Sequence, residues 1–145
     1  MATRLLKALF LLPCLPALLA GQARPAPAGP PAGEWSAPAR DLAGTRFSPL
    51  TDISTRNVSN LRMLWSYGTG SLEGHEGNPL VAGGRLYLHT PHPVTVQAFD
   101  LDRPGSPPLW SYAPGGRDPA LAGCCGLGSR GIAWHPSGKL YVPLF

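Results

Sequence analysis

The sequence predicts an all-β fold built from short antiparallel strands. Three observations carry that expectation. Apolar and polar residues alternate in several short runs, while no stretch after the first 23 residues keeps a helical period. Gly and Pro number 18 each in 145 residues, a composition rich in turns. Finally, Leu64-Trp65-Ser66-Tyr67-Gly68 recurs as Leu109-Trp110-Ser111-Tyr112-Ala113, and the 45-residue offset (Leu64 to Leu109) is close to one four-stranded propeller blade.

Taken in order, residues 1–23 read as a secretory leader. Arg4 and Lys7 give a basic start, and residues 8–20 form an apolar run too short to span a bilayer. Gly21 and Ala23 supply the small residues of a cleavage site. Pro13 and Pro16 argue against a buried helix there. Pro13 also stands where a small residue precedes a lipidated cysteine, which disfavours lipidation of Cys14. Residues 24–33 are a Pro/Ala/Gly-rich linker, extended and poorly packed. Residues 34–145 make the folded part.

Within it, residues 35–53 show neither period and read as a lead-in that packs Trp35, Phe47 and Leu50 on something larger. Asn57, Ser59 and Asn60 mark a turn. Strands are predicted over residues 62–67, 78–82, 85–90, 95–100, 109–112, 131–135 and 139–144. Gly83-Gly84 is a two-residue hairpin turn. Along 85–90, Leu86, Leu88 and Thr90 share one face, with Tyr87 and His89 on the other. Pro136-Ser137-Gly138 is a turn. A second echo, Leu86-Tyr87-Leu88 and Leu140-Tyr141-Val142, has a 54-residue offset (Leu86 to Leu140). The two offsets differ because a long loop lies between the matched copies. One blade over residues 78–112 and the start of another follow. One and a half blades leave unpaired edges, so the chain reads as the beginning of a larger protein.

The composition excludes some function classes. Formal charge is +4, but Arg4 and Lys7 lie in the leader, so the remaining charges nearly balance. No basic cluster survives to make a nucleic-acid surface. His75, His89, His92 and His135 have no zinc-ligand spacing.

The inserted loop carries the chemistry: Gly123-Cys124-Cys125-Gly126-Leu127-Gly128-Ser129-Arg130-Gly131. Adjacent cysteines can bond to each other only in an eight-membered ring. Their Cα atoms are then held about 3.8 Å apart or less, short of the usual disulfide range, and the peptide must distort. Such strain clusters at ligand clamps, and a flat, apolar disulfide suits a planar ligand. Two reduced cysteines in a glycine-rich loop are the other reading. Removing the leader removes Cys14, leaving these two as neighbours in an oxidising compartment. Arg130 offers a planar, permanently charged fork of donors suited to carboxylates or carbonyls.

Four pieces resemble a known family, and they come in its order: residues 39–55 (ARDLAGTRFSPLTDIST), 74–93 (GHEGNPLVAGGRLYLHTPHP), 98–112 (AFDLDRPGSPPLWSY) and 124–131 (CCGLGSRG). Together they resemble the N-terminal part of the pyrroloquinoline-quinone-dependent alcohol dehydrogenases, the methanol dehydrogenase large subunits among them. The resemblance implies an eight-bladed β-propeller with the quinone near its axis. It implies that Glu76 contacts the quinone, that Cys124 and Cys125 form a vicinal disulfide stacked on its face, and that Arg130 bonds its reactive carbonyl edge. It further implies a calcium or lanthanide ion, a small alcohol substrate oxidised to an aldehyde, a cytochrome c as electron acceptor, a periplasmic or secreted location, and an oligomer of the complete protein. The chain departs from the family's pattern at Gly126, usually Asp, and at Ser129, usually Asn. No residue here matches the family's catalytic aspartate or its metal-binding carboxylate and amide. A non-catalytic secreted propeller that scaffolds other proteins is the competing reading; it has no need of Glu76, Cys124, Cys125 and Arg130 together.

Alkylating the mature protein without reductant is expected to label neither Cys124 nor Cys125, and both after reduction; intact mass distinguishes the two. Two labelled thiols before reduction would exclude the vicinal disulfide.

Overall fold

The chain was analysed as a computed structural model that describes residues 29–115 and 128–144. The leader, the first half of the linker, and Cys124 with Cys125 lie outside the described residues. Six strands follow one short 3-10 turn at Val58–Asn60: β1 Leu80–Ala82, β2 Arg85–Thr90, β3 Thr95–Asp100, β4 Trp110–Tyr112, β5 Ala133–Trp134 and β6 Leu140–Tyr141. The first four make one antiparallel meander in the order β1-β2-β3-β4, and β5 pairs with β6 in a second sheet. The predicted blade is therefore present as a single four-stranded unit.

Local chemistry sets its turns. Gly83 and Gly84 both have positive φ, +58° and +72°, which two-residue hairpins of right-handed twist require. They place Ala82 opposite Arg85 and Leu80 opposite Tyr87. After β3, Asp100 accepts a bond from the Asp102 amide and pairs with the Arg103 guanidinium at 2.7 Å. That Arg103 contact is the main cause of its lowered carboxyl pKa. Gly138, at φ +81°, closes the β5–β6 turn with its amide on the His135 carbonyl.

Register sorts the side chains. Leu80, Ala82, Tyr87, His89, Val96, Ala98, Trp110 and Tyr112 fall on one face, here called face A. Leu80, Ala82, Tyr87, Val96 and Ala98 are buried there with Ile132, and Trp134, Leu140 and Val142 pack against them. The second sheet thus covers face A of the first. Full burial of Leu80 or Val96 contributes roughly 1.5–3 kcal/mol each. On the opposite face, B, Phe99 meets Trp65 at 5.5 Å and the edge of Tyr67 at 4.8 Å between ring centroids. Tyr67 Oη also accepts a bond from Gln97 Nε2.

Several expectations change. Residues 62–67 form no strand; they run unpaired across face B. A strand needs a ladder partner, and among the described residues none lies beside this segment. The strand expected over 78–82 begins only after Pro79, which has no amide to donate. That over 109–112 begins at Trp110, although the Leu109 amide already bonds the Ala98 carbonyl. The strand expected over 131–135 shrinks to Ala133–Trp134, the two residues that pair with β6. Its partner over 139–144 shrinks to Leu140–Tyr141, ahead of Pro143. In the lead-in, Trp35 exchanges backbone bonds with Val81 and so flanks β1. Phe47, 66% exposed, and Leu50 pack on nothing among the described residues.

Gly77 is the tightest point. A methyl group there would meet the His89 ring and would come within 2.7 Å of Gly131 Cα and 2.9 Å of its nitrogen. Backbone cannot yield as a flexible side chain does. Gly77→Ala is expected to destabilise the intact protein by roughly 1–3 kcal/mol and to speed amide exchange across residues 128–132. Thermal unfolding and hydrogen-exchange mass spectrometry check this; unchanged values of both contradict it.

Candidate functional site

Two glycine-flanked loops build the site. Residues 74–78 lead into β1, and residues 128–131 lead into β5. They meet in a parallel bridge between His75 and Ser129. In that register the next residue of each loop, Glu76 and Arg130, comes to the same place. Arg130 Nε lies 3.8 Å from Glu76 Oε2, with the Arg130 side chain 88% exposed and that of Glu76 54% exposed. An ion pair so long and so open contributes at most about 1 kcal/mol. Neither group is consumed by the other. Arg130 keeps most of its five N–H donors, and Glu76 keeps most of its acceptor positions.

Glycine permits the approach. Gly128 leaves room for the Glu76 carboxylate, which would stand 3.3 Å (Oε1) from any Cβ placed there. Gly131 has φ +131°, a backbone state that side chains disfavour.

Beneath the pair lies a buried polar contact. His89, on face A of β2, is 3% exposed, and its Nε2 is 3.2 Å from Ser129 Oγ. Ser129 is equally buried. The imidazole tautomer decides which of the two donates. Removal from water pushes the His89 pKa below its ordinary 6.5, and the nearby His75 acts in the same direction; hydrogen bonding to the Ser129 backbone opposes both. His75 Nε2 lies 3.4 Å from Thr69 Oγ1.

The structure brings Glu76 and Arg130 together, as the sequence reading requires of two groups on one ligand. Cys124 and Cys125 lie outside the described residues. Among the described residues no three His, Cys, Asp or Glu side chains converge as metal ligands would. Sequence reasoning missed His89 and Ser129 as the support beneath the site. The available signal was the alternation of 85–90, which puts His89 beside Tyr87 on the buried face.

The depressed His89 pKa has a definite pH consequence. Unfolded, this imidazole protonates near 6.5; folded, it resists protonation. Its contribution to stability is therefore intact above about 6.5 and is lost as the pH falls from there towards the folded value. The intact protein is expected to lose more thermal stability between about pH 7 and 5 than its His89→Gln variant. Parallel curves would contradict this.

The fold agrees with comparisons to known proteins. The family described as "PQQ: Glucose/ethanol/alcohol dehydrogenase, beta-propeller domain" matches residues 35–141. A lanthanide-dependent methanol dehydrogenase of Methylacidiphilum fumariolicum is 41% identical over 111 residues, covering 76% of this chain and 18% of that protein. The methanol dehydrogenase [cytochrome c] subunit 1 of Paracoccus denitrificans is 42% identical over 111 residues, covering 76% and 17%. Among solved structures, a europium-containing methanol dehydrogenase superposes with a TM-score of 0.71 at 40% identity, over 78% of this chain and 20% of its own. The chain thus spans less than a fifth of the length of these two curated relatives. A family match that covers both loops and the whole four-stranded blade settles its membership: the chain belongs to the PQQ β-propeller family of glucose, ethanol and alcohol dehydrogenases.

Proposed function

We propose that this chain supplies one wall of the quinone pocket of a dehydrogenase that oxidises a small primary alcohol, methanol-like in size, to the aldehyde. The observation that supports this most directly is the meeting of Glu76 and Arg130 across the bridged loops, both open and both with unused hydrogen-bonding capacity. That donor set suits pyrroloquinoline quinone, which carries carboxylates and adjacent carbonyls on a flat frame. When bound, the quinone supplies a two-electron acceptor.

The chain's own residues have distinct tasks. Arg130 would hold the carbonyl edge of the quinone with N–H donors, and its fixed positive charge would favour negative charge there. Glu76 accepts a hydrogen bond at the rim and orients the ring. The glycines at 77, 128 and 131 let backbone and ligand approach closely. Cys124 and Cys125, as a vicinal disulfide, cover the flat face. The base for the substrate hydroxyl, and the carboxylate and amide for a calcium or lanthanide ion, match no position of this chain. The names of the relatives support a lanthanide ion and a cytochrome c as electron acceptor for the complete enzyme. The leader over residues 1–23 and the linker over 24–33 support a periplasmic or secreted protein; assembly into an oligomer belongs to the complete enzyme in this reading.

In the complete enzyme, Arg130→Ala is expected to lower kcat roughly 100-fold, a loss of about 2.7 kcal/mol in transition-state stabilisation, while the thermal midpoint stays within a few degrees. Steady-state rates with the quinone bound, alongside a melting curve, check both halves. An unimpaired Arg130→Ala enzyme would overturn the role of that residue. A complete protein that binds no quinone would favour the scaffold reading.

A further inference from the structure

The site lacks an obvious reason to be rigid. Arg130 is almost wholly exposed, its ion pair with Glu76 is long, and the two loops share one isolated backbone bridge. Among the described residues Arg130 has no other charged partner, and an exposed arginine so held would sample many rotamers and loop positions. Yet charge stabilisation in a reaction depends on placement, and a displacement of about 1 Å can cost on the order of 100-fold in rate.

The rigidity comes from below. His89 belongs to β2, which pairs with β3 along six residues, from Arg85 opposite Asp100 to Thr90 opposite Thr95. It therefore sits in one of the two central strands of the blade. Its ring meets the position a Gly77 side chain would take, and its Nε2 reaches Ser129 Oγ. One imidazole thus touches both loops, one through shape and the other through a hydrogen bond. Both partners in that bond are buried, so breaking it leaves unsatisfied polar atoms away from water.

We propose that His89 is a positioning residue for Arg130: through its hydrogen bond to Ser129 it locks residues 128–131 onto residues 75–77 and so aims the guanidinium into the space it shares with Glu76. The inference rests on the reading of Glu76 and Arg130 as quinone contacts. It assigns a task to Ser129, where the family usually carries Asn: a short hydroxyl suits the 3.2 Å contact with a histidine already close beneath.

The test uses the complete enzyme with Ser129→Ala, which deletes only the bonding oxygen, together with His89→Ala, their double variant and His89→Gln. Three measurements are read: amide exchange over residues 128–132, the affinity of the quinone-free protein for added pyrroloquinoline quinone, and kcat. Ser129→Ala and His89→Ala are each expected to speed exchange about tenfold and to weaken quinone binding and kcat by about tenfold. The double variant should be no worse than His89→Ala alone, since the bond to Ser129 is already lost there. His89→Gln, whose amide can still bond Ser129, should recover most of the loss. Unchanged exchange in Ser129→Ala, losses that multiply in the double variant, or no recovery in His89→Gln would overturn the proposal. Arg130→Ala run beside them separates the two levels. If it lowers kcat while Ser129→Ala does not, the brace alone is wrong. If it changes neither binding nor kcat, the quinone reading has failed, whatever the exchange rates show.

Discussion

The bridge between residues 75–77 and 128–131 is the constraint on which the rest depends. The two loops are separated by the whole four-stranded blade in sequence, so joining them closes a long excursion of chain and fixes how the second sheet stands against the first. The closure entropy grows only slowly with loop length. The apolar interface on face A offsets it, where Leu80, Val96 and Ala98 meet Ile132. Packing brings the loops close, glycine at 77 and 131 lets them touch, and the bridge aligns Glu76 with Arg130. Each step requires the one before it.

Polar groups are handled differently above and below this bridge. Above it, the charged pair stays in water, where desolvation costs little and where its own attraction is weak. Below it, His89 and Ser129 are out of water and satisfy each other. A site meant to grip a charged, planar ligand gains from this division. Among the described residues the exposed groups have only each other as charged partners, while the buried His89 and Ser129 are bonded to one another.

Much of this was legible in the sequence. Gly83-Gly84 defined the first hairpin, and the alternation of 85–90 and 95–100 gave β2 and β3 to the residue. Glu76 and Arg130 stand out in the sequence through the glycines and the loop that carry them. The short strands were less legible because their ends are set by tertiary events: Pro79 and Pro143 remove donors, and Ser129 is taken by a loop rather than by the neighbouring strand. The contact beneath the site was not legible for a related reason: the alternation of 85–90 puts His89 on the face of Tyr87, but only the tertiary fold brings Ser129, 40 residues on, to its ring.

The unpaired segment at 62–67 is explained by the repeat that first suggested blades. Trp65 and Tyr67 occupy the places that Trp110 and Tyr112 occupy one repeat later, and the later pair form the outer strand β4. Register puts Trp110 and Tyr112 on face A, the side that looks towards β5 and β6. If the earlier pair belong to an outer strand of the same kind, their own face A looks towards the blade that follows. Trp65 and Tyr67 do lie against face B of that blade, on Phe99 and Gln97. Face A of one unit against face B of the next is the stacking that generates a propeller, and both halves of it are present here. The segment therefore reads as an outer strand in position without its ladder: the aromatic pair is fixed by the neighbouring blade, while its backbone stays open to strands of its own.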